Sequence, residues 1–258
     1  MTDLARRRDA AAAIAVEAAA LAARMRAAGQ GVPSLKGAQN FVTEADTATE
    51  RFIRARLEQD FPGEAILGEE MGGAPDRAGP LWVLDPIDGT SNFARGSDRW
   101  CVSIGLVVDG RAVAGAIARH APAEIFAAAE GFGATLNGAP IRAAPTTDIS
   151  RAIIECGWSL RLPIAEFHRM AQGVTTLGAG VRSGGSGALG LVESAAGRID
   201  GYLERHINAW DAAAAIAIAR EAGCWTNAFD SGDWLASGNP VGVGAPGIGG
   251  HLAALLAG

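Results

Sequence analysis

The chain has 258 residues, of which 49% are hydrophobic, and its formal net charge is −6. It is long enough to bury a large core, whereas the acidic balance argues against direct nucleic-acid binding, and no run approaches the ~20 uncharged apolar residues of a membrane span. Its three cysteines are widely separated, which fits neither a disulfide framework nor a cysteine metal site and favours a cytoplasmic protein.

The first predicted element is an amphipathic helix that starts near Leu4 and stops at Gly29, because apolar residues recur at steps of three and four. Acidic residues interrupt its alanine-rich run, so we interpret it as a helix of the mature protein and not as a signal peptide. A loop over 29–40 follows. It contains Lys36, the only lysine among the 22 basic residues.

The middle and end of the chain alternate between helical and strand patterns. A helix from about Thr43 to Gln59 precedes two short strands, the second ending at Asp85. Asp109-Gly110 joins two apolar runs and predicts a hairpin, because such a turn needs positive φ. The other predicted elements are strands at 124–129, 152–156, 180–183 and 199–204 and helices at 164–177, 186–196 and 210–223. This mixture predicts a layered α/β fold whose sheets are not purely parallel.

Acidic and helix-starting residues cluster in "LDPIDGTSNF" (84–93). Asp85 and Asp88 flank a proline, which we expect to end the strand and turn both carboxylates into one cavity, with the Ile87 carbonyl between them. The Thr-Ser-Asn that follows suits a helix N-terminus, which binds anions such as phosphate. Carboxylates beside an anion site need a bridging cation, and oxygen ligands favour Mg²⁺ or Mn²⁺. Taken alone, the two aspartates fit ordinary turn and cap roles equally well.

Two further acidic motifs turn this cluster into a family pattern. "GEE" (68–70), "WVLDPIDGTSNF" (82–93) and "WDAAAAIAIAREAG" (210–223) together resemble the inositol monophosphatase family of metal-dependent, lithium-sensitive phosphatases, and the similarity extends over nearly the whole chain. The resemblance implies a layered αβαβα sandwich with mixed sheets. It also implies that residues 1–258 form one catalytic unit of two intimately packed halves, approximately 1–145 and 146–258.

The resemblance implies a set of metal ligands. Glu69, Asp85 and the Ile87 carbonyl would bind one Mg²⁺, and Asp85, Asp88 and Asp211 would bind a second. A third ion, or Mn²⁺ in place of Mg²⁺, is compatible with this set. Two such ions hold the attacking and departing oxygens of an in-line displacement and lower the pKa of a bound water.

Catalytic roles are implied in the same way. Gly89 and Thr90 would present backbone N–H groups to the phosphate, and Asp46 would pair with the Thr90 hydroxyl near the attacking water. Glu69 would also hold or deprotonate water. Glu70 matches the second acid of its motif, and we assign it no firm role.

Substrate-binding roles fall on the second half of the chain and on one early loop. Glu204 lies seven residues before Asp211, where the family has an acid that contacts inositol hydroxyls. Ser186 and Gly187 correspond to residues of the substrate wall. Lys36 lies where the family has a mobile lysine near the metals.

The expected function is hydrolysis of a phosphate monoester, with inositol-1-phosphate as the preferred candidate and a homodimer as the expected assembly. Relatives act instead on histidinol phosphate, fructose 1,6-bisphosphate or 3′-phosphoadenosine 5′-phosphate. Arg95 and Arg205 depart from the inositol type, and either could contact a second anionic group or form a surface ion pair.

Two other classes of protein, dinucleotide-binding and regulatory, are alternatives for this sequence. "GSGALG" (185–190) fits the G-x-G-x-x-G pattern of dinucleotide-binding proteins, but the preceding strand is short and glycine-rich chains produce this pattern by chance. Some bacterial members of the family act with the transcription machinery, so a regulatory protein is the second alternative. The four histidines show no metal-ligand spacing.

Overall fold

The computed structural model describes residues 2–30, 34–37, 40–73 and 79–257, with side chains for 3–29, 43–73 and 79–257. No helix in these ranges is both long and apolar enough to cross a membrane. The α-helices are α1 (Thr2–Met25), α2 (Glu44–Asp60), α3 (Thr90–Ala94), α4 (Ile164–Thr176), α5 (Gly187–Ala195), α6 (Ala209–Glu221), α7 (Trp234–Ser237) and α8 (Gly249–Ala257). The strands are β1 (Ser34–Gly37), β2 (Asn40–Val42), β3 (Ala65–Gly68), β4 (Leu81–Asp88), β5 (Cys101–Val108), β6 (Arg111–Arg119), β7 (Glu124–Ala129), β8 (Ala134–Leu136), β9 (Ala139–Pro140), β10 (Ile153–Cys156), β11 (Gly180–Arg182), β12 (Gly201–Ile207), β13 (Trp225–Thr226) and β14 (Asn239–Gly244).

The elements stack in five layers. A seven-stranded sheet has the order β3-β4-β5-β6-β7-β8-β9, with only β3 and β4 parallel, and a five-stranded sheet has the order β11-β10-β12-β14-β13. Helices α1 and α2 pack on the outer face of the first sheet, α5 and α6 lie between the sheets, and α4 and α8 cover the second sheet. The predicted αβαβα sandwich with mixed sheets is confirmed.

Close packing of helix α6 on the first sheet positions the site. Its buried face is almost entirely alanine, and Gly105 of β5 and Gly115 of β6 lie directly beneath it. A methyl group on Gly105 would lie 2.8 Å from the Ala213 Cβ, so only glycine permits this distance. The first sheet comes from the early part of the chain and α6 from the late part, which brings Asp211 to the carboxyl end of β4. The predicted unit of 1–258 with two halves remains a prediction.

Two sequence-based boundaries were wrong. Strand β4 does not end at Asp85 but continues through the proline to Asp88, because the register with β5 shifts between these residues and a bulge accommodates the missing N–H. The predicted loop 29–40 contains β1 and the start of β2, which pair as a small antiparallel ribbon. The Asp109-Gly110 hairpin is confirmed, with φ of 51° and 75° at its two turn residues.

Candidate active site

Three carboxylates converge at the carboxyl end of β3, beside strand β4 and the N-terminus of α6. Strand β3 pairs with β4 so that Gly68 faces Leu84, and the next residues along the chain, Glu69 and Asp85, therefore lie side by side. Helix α6 brings Asp211 to the same point. One oxygen from each of these carboxylates lies within 4.8 Å of the others, which is a spacing that a single metal ion could bridge.

The bulge in β4 orients the groups around Asp85. The Ile87 N–H donates to Asp85 Oδ1 at 2.9 Å, and the Ile87 carbonyl accepts from the Thr90 hydroxyl at 3.0 Å. Asp85 is buried, with 1% of its surface exposed. The bulge therefore ties the Asp85 carboxylate to the Ile87 N–H, and it ties the Ile87 carbonyl to Thr90.

Asp88 is held from the second half of the chain. The Ser186 hydroxyl donates to Asp88 Oδ2, and the Ala188 N–H donates to the same oxygen at 3.0 Å. Gly89 follows with φ 90°, a conformation that favours glycine, and a Cβ there would lie 2.9 Å from the Arg99 carbonyl oxygen. The start of α5 is thereby joined to the end of β4.

Asp46 and Asp211 each cap the helix on which they lie. The backbone N–H and the hydroxyl of Thr43 donate to Asp46 Oδ2 at 2.8 and 2.6 Å, and the Asn208 N–H and side-chain amide donate to Asp211 Oδ2 at 3.2 Å. The capping role therefore uses one oxygen of each carboxylate. The other oxygen of Asp46 lies 3.3 Å from the Thr90 hydroxyl, so Asp46 both caps α2 and contacts a residue of the site.

The site brings together several acidic side chains that have little solvent-exposed surface. Burial, and then repulsion from Asp211, raises the pKa of Glu69 well above its ordinary value, and burial and the Glu69 charge do the same for Asp85. Burial and the nearby Asp211 raise the pKa of Asp88 to about 7, and burial raises the pKa of Asp46 to about 6. A divalent cation would offset this repulsion with oxygen ligands of the type that Mg²⁺ and Mn²⁺ prefer, so the residues present fit such an ion.

A cavity of about 250 Å³ opens beside these carboxylates. Asp88, Asp211 and Glu204 all line it, and the Tyr202 hydroxyl donates to Glu204 Oε2 at 2.6 Å. Burial raises the pKa of Glu204 to about 8. The remaining lining residues are Glu155, Gly157, Trp158, Ser183, Gly185, Ser186, Gly187, Tyr202 and Ile207.

The G-x-G-x-x-G stretch does stand between a strand and a helix, β11 and α5, but its glycines have another explanation. A Cβ on Gly190 would lie 2.4 Å from the Tyr202 ring, and one on Gly187 would lie 2.7 Å from Ile207. These glycines let α5 pack closely against β12. Close packing accounts for two of the pattern's glycines without a dinucleotide.

Arg95 and Arg205, each expected either to contact a second anionic group or to form a surface ion pair, do not line the cavity. Arg95 donates to the Ser91 carbonyl at 3.1 Å, and Arg205 donates to the Leu255 carbonyl at 3.1 Å, beside Glu166 of α4. Arg205 therefore faces the outer helices, whereas its neighbour Glu204 faces the cavity. Lys36 lies in β1, and its side chain is outside the described residues.

Sequence reasoning missed several residues in or near the cavity, and three of them show why. Tyr202 shares a face of β12 with Glu204 because side chains alternate along a strand, and this spacing could have identified it. Trp158 is 47% exposed at the rim. The Asn92 amide donates to the Arg99 and Gly184 carbonyls, both at 2.9 Å, and so ties α3 to the turn before α5. Nothing local in the sequence signals the last two contacts.

Known proteins similar to this chain include proteins named inositol-1-monophosphatase or Nus factor SuhB. The inositol-1-monophosphatase of Synechocystis sp. is 40% identical over 200 residues, which cover 75% of this chain and 68% of the relative. A Xylella fastidiosa protein named Nus factor SuhB is 36% identical over 201 residues, covering 77% of this chain and 72% of that protein. The solved inositol monophosphatase of Anabaena (Nostoc) sp. PCC 7120 superposes with a TM-score of 0.86 at 32% identity, covering 99% and 96% of the two chains.

A model of the inositol monophosphatase family matches residues 3–257, which is almost the whole described chain. The similarity therefore includes both halves of the site, from the end of β3 to the N-terminus of α6. This chain belongs to the inositol monophosphatase family and is a phosphatase.

Proposed function

We propose that the protein is a Mg²⁺-dependent phosphomonoesterase that releases inositol and phosphate from inositol-1-phosphate. The observation that carries this proposal is the cluster of the Glu69, Asp85 and Asp211 carboxylates, because Asp211 also lines a polar cavity that contains Glu204. A phosphate beside the acids would leave the polyol ring within reach of Glu204.

The chain offers ligands for two ions. Glu69, Asp85 and the Ile87 carbonyl would hold one, and Asp85, Asp88 and Asp211 a second, with Asp85 shared. Bound Mg²⁺ would supply positive charge for the phosphate oxygens and polarise a water molecule. Mn²⁺ has the same preference for oxygen ligands, and a third ion is compatible with the proposal.

The protein's own groups would orient the reactants and move the proton. The Thr90 hydroxyl lies between the Ile87 carbonyl and Asp46, so it can hold a water molecule beside the cluster. With its pKa near 6, Asp46 can accept a proton through that hydroxyl near neutral pH. The backbone N–H groups of Gly89 and Thr90 would bind the phosphate, and Glu69 would orient the water.

Cavity residues outside the proposed ligand set would decide which phosphate ester binds. Glu204 can accept hydrogen bonds from polyol hydroxyls, and its bond from Tyr202 fixes its orientation. Ser186 and Gly187 line the wall that the ring would contact. Arg95 and Arg205 are engaged elsewhere, which disfavours a second phosphate. From the family resemblance we also propose that Lys36 approaches the metals, that lithium inhibits, and that the protein is a cytoplasmic homodimer.

The substrate is tested by comparing four phosphate esters with the purified full-length protein at saturating Mg²⁺. We expect kcat/KM for inositol-1-phosphate to exceed those for histidinol phosphate, fructose 1,6-bisphosphate and 3′-phosphoadenosine 5′-phosphate. A higher value for any of the other three would overturn the substrate assignment but not the phosphatase. The regulatory alternative is not favoured by any contact among the described residues.

A further inference from the structure

A buried carboxylate outside the proposed ligand set holds the turn that carries Glu69. Glu50 has no exposed surface and lies one helical turn after Asp46 on α2. Its Oε2 accepts from the Glu70 N–H at 2.8 Å, and its Oε1 accepts from the Met71 N–H at 3.2 Å. The carboxylate of Glu50 thus binds the two residues that directly follow Glu69.

Arg54, one further turn along α2, completes this contact. Its Nε donates to Glu50 Oε1 at 2.8 Å, and its Nη2 donates to the Gly72 carbonyl. The turn itself is closed by mutual backbone bonds of 3.0 and 3.1 Å between Gly68 and Gly72. Arg54 therefore neutralises the charge of Glu50 and also hydrogen-bonds to the last residue of the turn.

The close approach of Glu50 depends on a glycine. A Cβ on Gly68 would lie 2.1 Å from Glu50 Oε1, so a larger residue there would displace the carboxylate. Meanwhile the Glu69 N–H donates to the Leu84 carbonyl at 3.2 Å, beside Asp85. Glu69 is thus fixed between two anchors, the edge of β4 on one side and helix α2 on the other.

An ion pair at this depth is costly to bury unless its hydrogen bonds are made. Here the hydrogen bonds are made, to the backbone of the turn 68–72 that contains Glu69, and none of them goes to a residue that lines the cavity. Because Asp46, Glu50 and Arg54 recur every four residues, they lie on one face of α2. That face contacts both Thr90 and the Glu69 turn.

We propose that Glu50 and Arg54 are positioning residues that fix the turn 68–72, and thereby set the affinity of the Glu69, Asp85 and Asp211 cluster for a divalent cation. This inference rests on the proposed function only in assuming that the cluster binds such an ion. Loss of a partner that orients a metal ligand typically weakens metal binding by about 10- to 100-fold.

The test measures Mn²⁺ affinity by electron paramagnetic resonance with full-length, metal-stripped protein. Arg54→Gln is the decisive variant, because loss of its charge and loss of its contacts to the turn predict opposite changes in Mn²⁺ affinity. Removing a nearby positive charge would by itself strengthen binding of a cation, whereas loosening the turn would weaken it. We expect Mn²⁺ to bind at least about tenfold more weakly in Arg54→Gln and in Glu50→Gln, and phosphate release to recover at high Mg²⁺.

Arg56→Gln is the matched control, since Arg56 lies on the same helix and pairs with Glu17 of α1. Its Mn²⁺ affinity should equal that of the wild type. Thermal unfolding of each variant without metal shows whether it is folded. If Glu50→Gln does not fold, the inference is tested with Arg54→Gln alone, because the Arg54 side chain is 22% exposed. Unchanged or tighter binding in Arg54→Gln would overturn this inference alone. If the wild type binds no Mn²⁺, the proposed function fails together with it.

Discussion

Replacing Glu204 by glutamine tests how the cavity recognises its substrate. The change keeps the size of the side chain, removes the charge that Glu204 carries above its pKa of about 8, and replaces one acceptor oxygen by a donor. Glu204 is 8% exposed, so water cannot readily replace a substrate hydroxyl that loses its partner. Loss of a charge-assisted hydrogen bond costs about 1.5–3 kcal/mol, which corresponds to a roughly ten- to hundredfold lower kcat/KM for inositol-1-phosphate.

The assay compares inositol-1-phosphate with phenyl phosphate, which has no hydroxyls to bind, at saturating Mg²⁺ and above the Glu204 pKa of about 8, where its carboxylate is ionised. We expect Glu204→Gln to raise KM for the inositol ester and to leave turnover of phenyl phosphate nearly unchanged. Tyr202→Phe keeps the ring but removes the bond at 2.6 Å that orients Glu204, so its effect should have the same direction and be smaller. An equal loss on both esters would show that Glu204 supports the metal centre, and no loss on either would refute its role in binding the polyol.

Three further predictions concern the charges of the site. Asp88→Asn and Asp211→Asn should each abolish phosphate release while circular dichroism shows a folded protein, and substantial activity of Asp211→Asn at limiting Mg²⁺ would contradict its assignment as a ligand. Because the pKa values of Asp88 and Glu204 are raised to about 7 and about 8, the folded metal-free protein holds protons that the unfolded chain has released. Its free energy of unfolding should therefore fall as pH rises from about 4 to 8, with each pKa unit worth about 1.4 kcal/mol. Saturating Mg²⁺ should offset the fall. A melting temperature of the metal-free protein that rises with pH would contradict this prediction. Lys36→Ala should lower turnover or weaken the Mg²⁺ dependence, without full restoration by Lys36→Arg, whereas wild-type kinetics in both would exclude a role for Lys36.

The residues of the site were easier to predict than the elements that hold them. Ordered motifs around Glu69, Asp85 and Asp211 identified the acids, and the structure brings these three together. Strand β14 lies inside the second sheet, yet its two valines are interrupted by glycines and preceded by a proline, which lowers its strand propensity. It forms there because the small residues fit beneath Trp225, where a Cβ on Gly242 would lie 2.9 Å from the ring. Such packing depends on distant residues and leaves no local pattern.

The contacts of Glu50 and Asn92 were missed for the same reason. Each hydrogen-bonds to backbone groups far along the chain, so its role depends on the tertiary fold. Tyr202 differs, because its alternation with Glu204 on β12 was visible in the sequence. Local periodicity can therefore show which residues share a face, whereas the fold decides what each face contacts.

The most direct test of the account measures phosphate released from inositol-1-phosphate by chelator-treated protein, before and after Mg²⁺ is added, for the wild type and Asp85→Asn. We predict that the stripped wild type is inactive and that Mg²⁺ restores it, whereas Asp85→Asn stays inactive at every Mg²⁺ concentration because it lacks the carboxylate shared by both ions. Release by the stripped wild type at the full rate, or by Asp85→Asn at the wild-type rate, would contradict a metal-dependent phosphatase built on these acids.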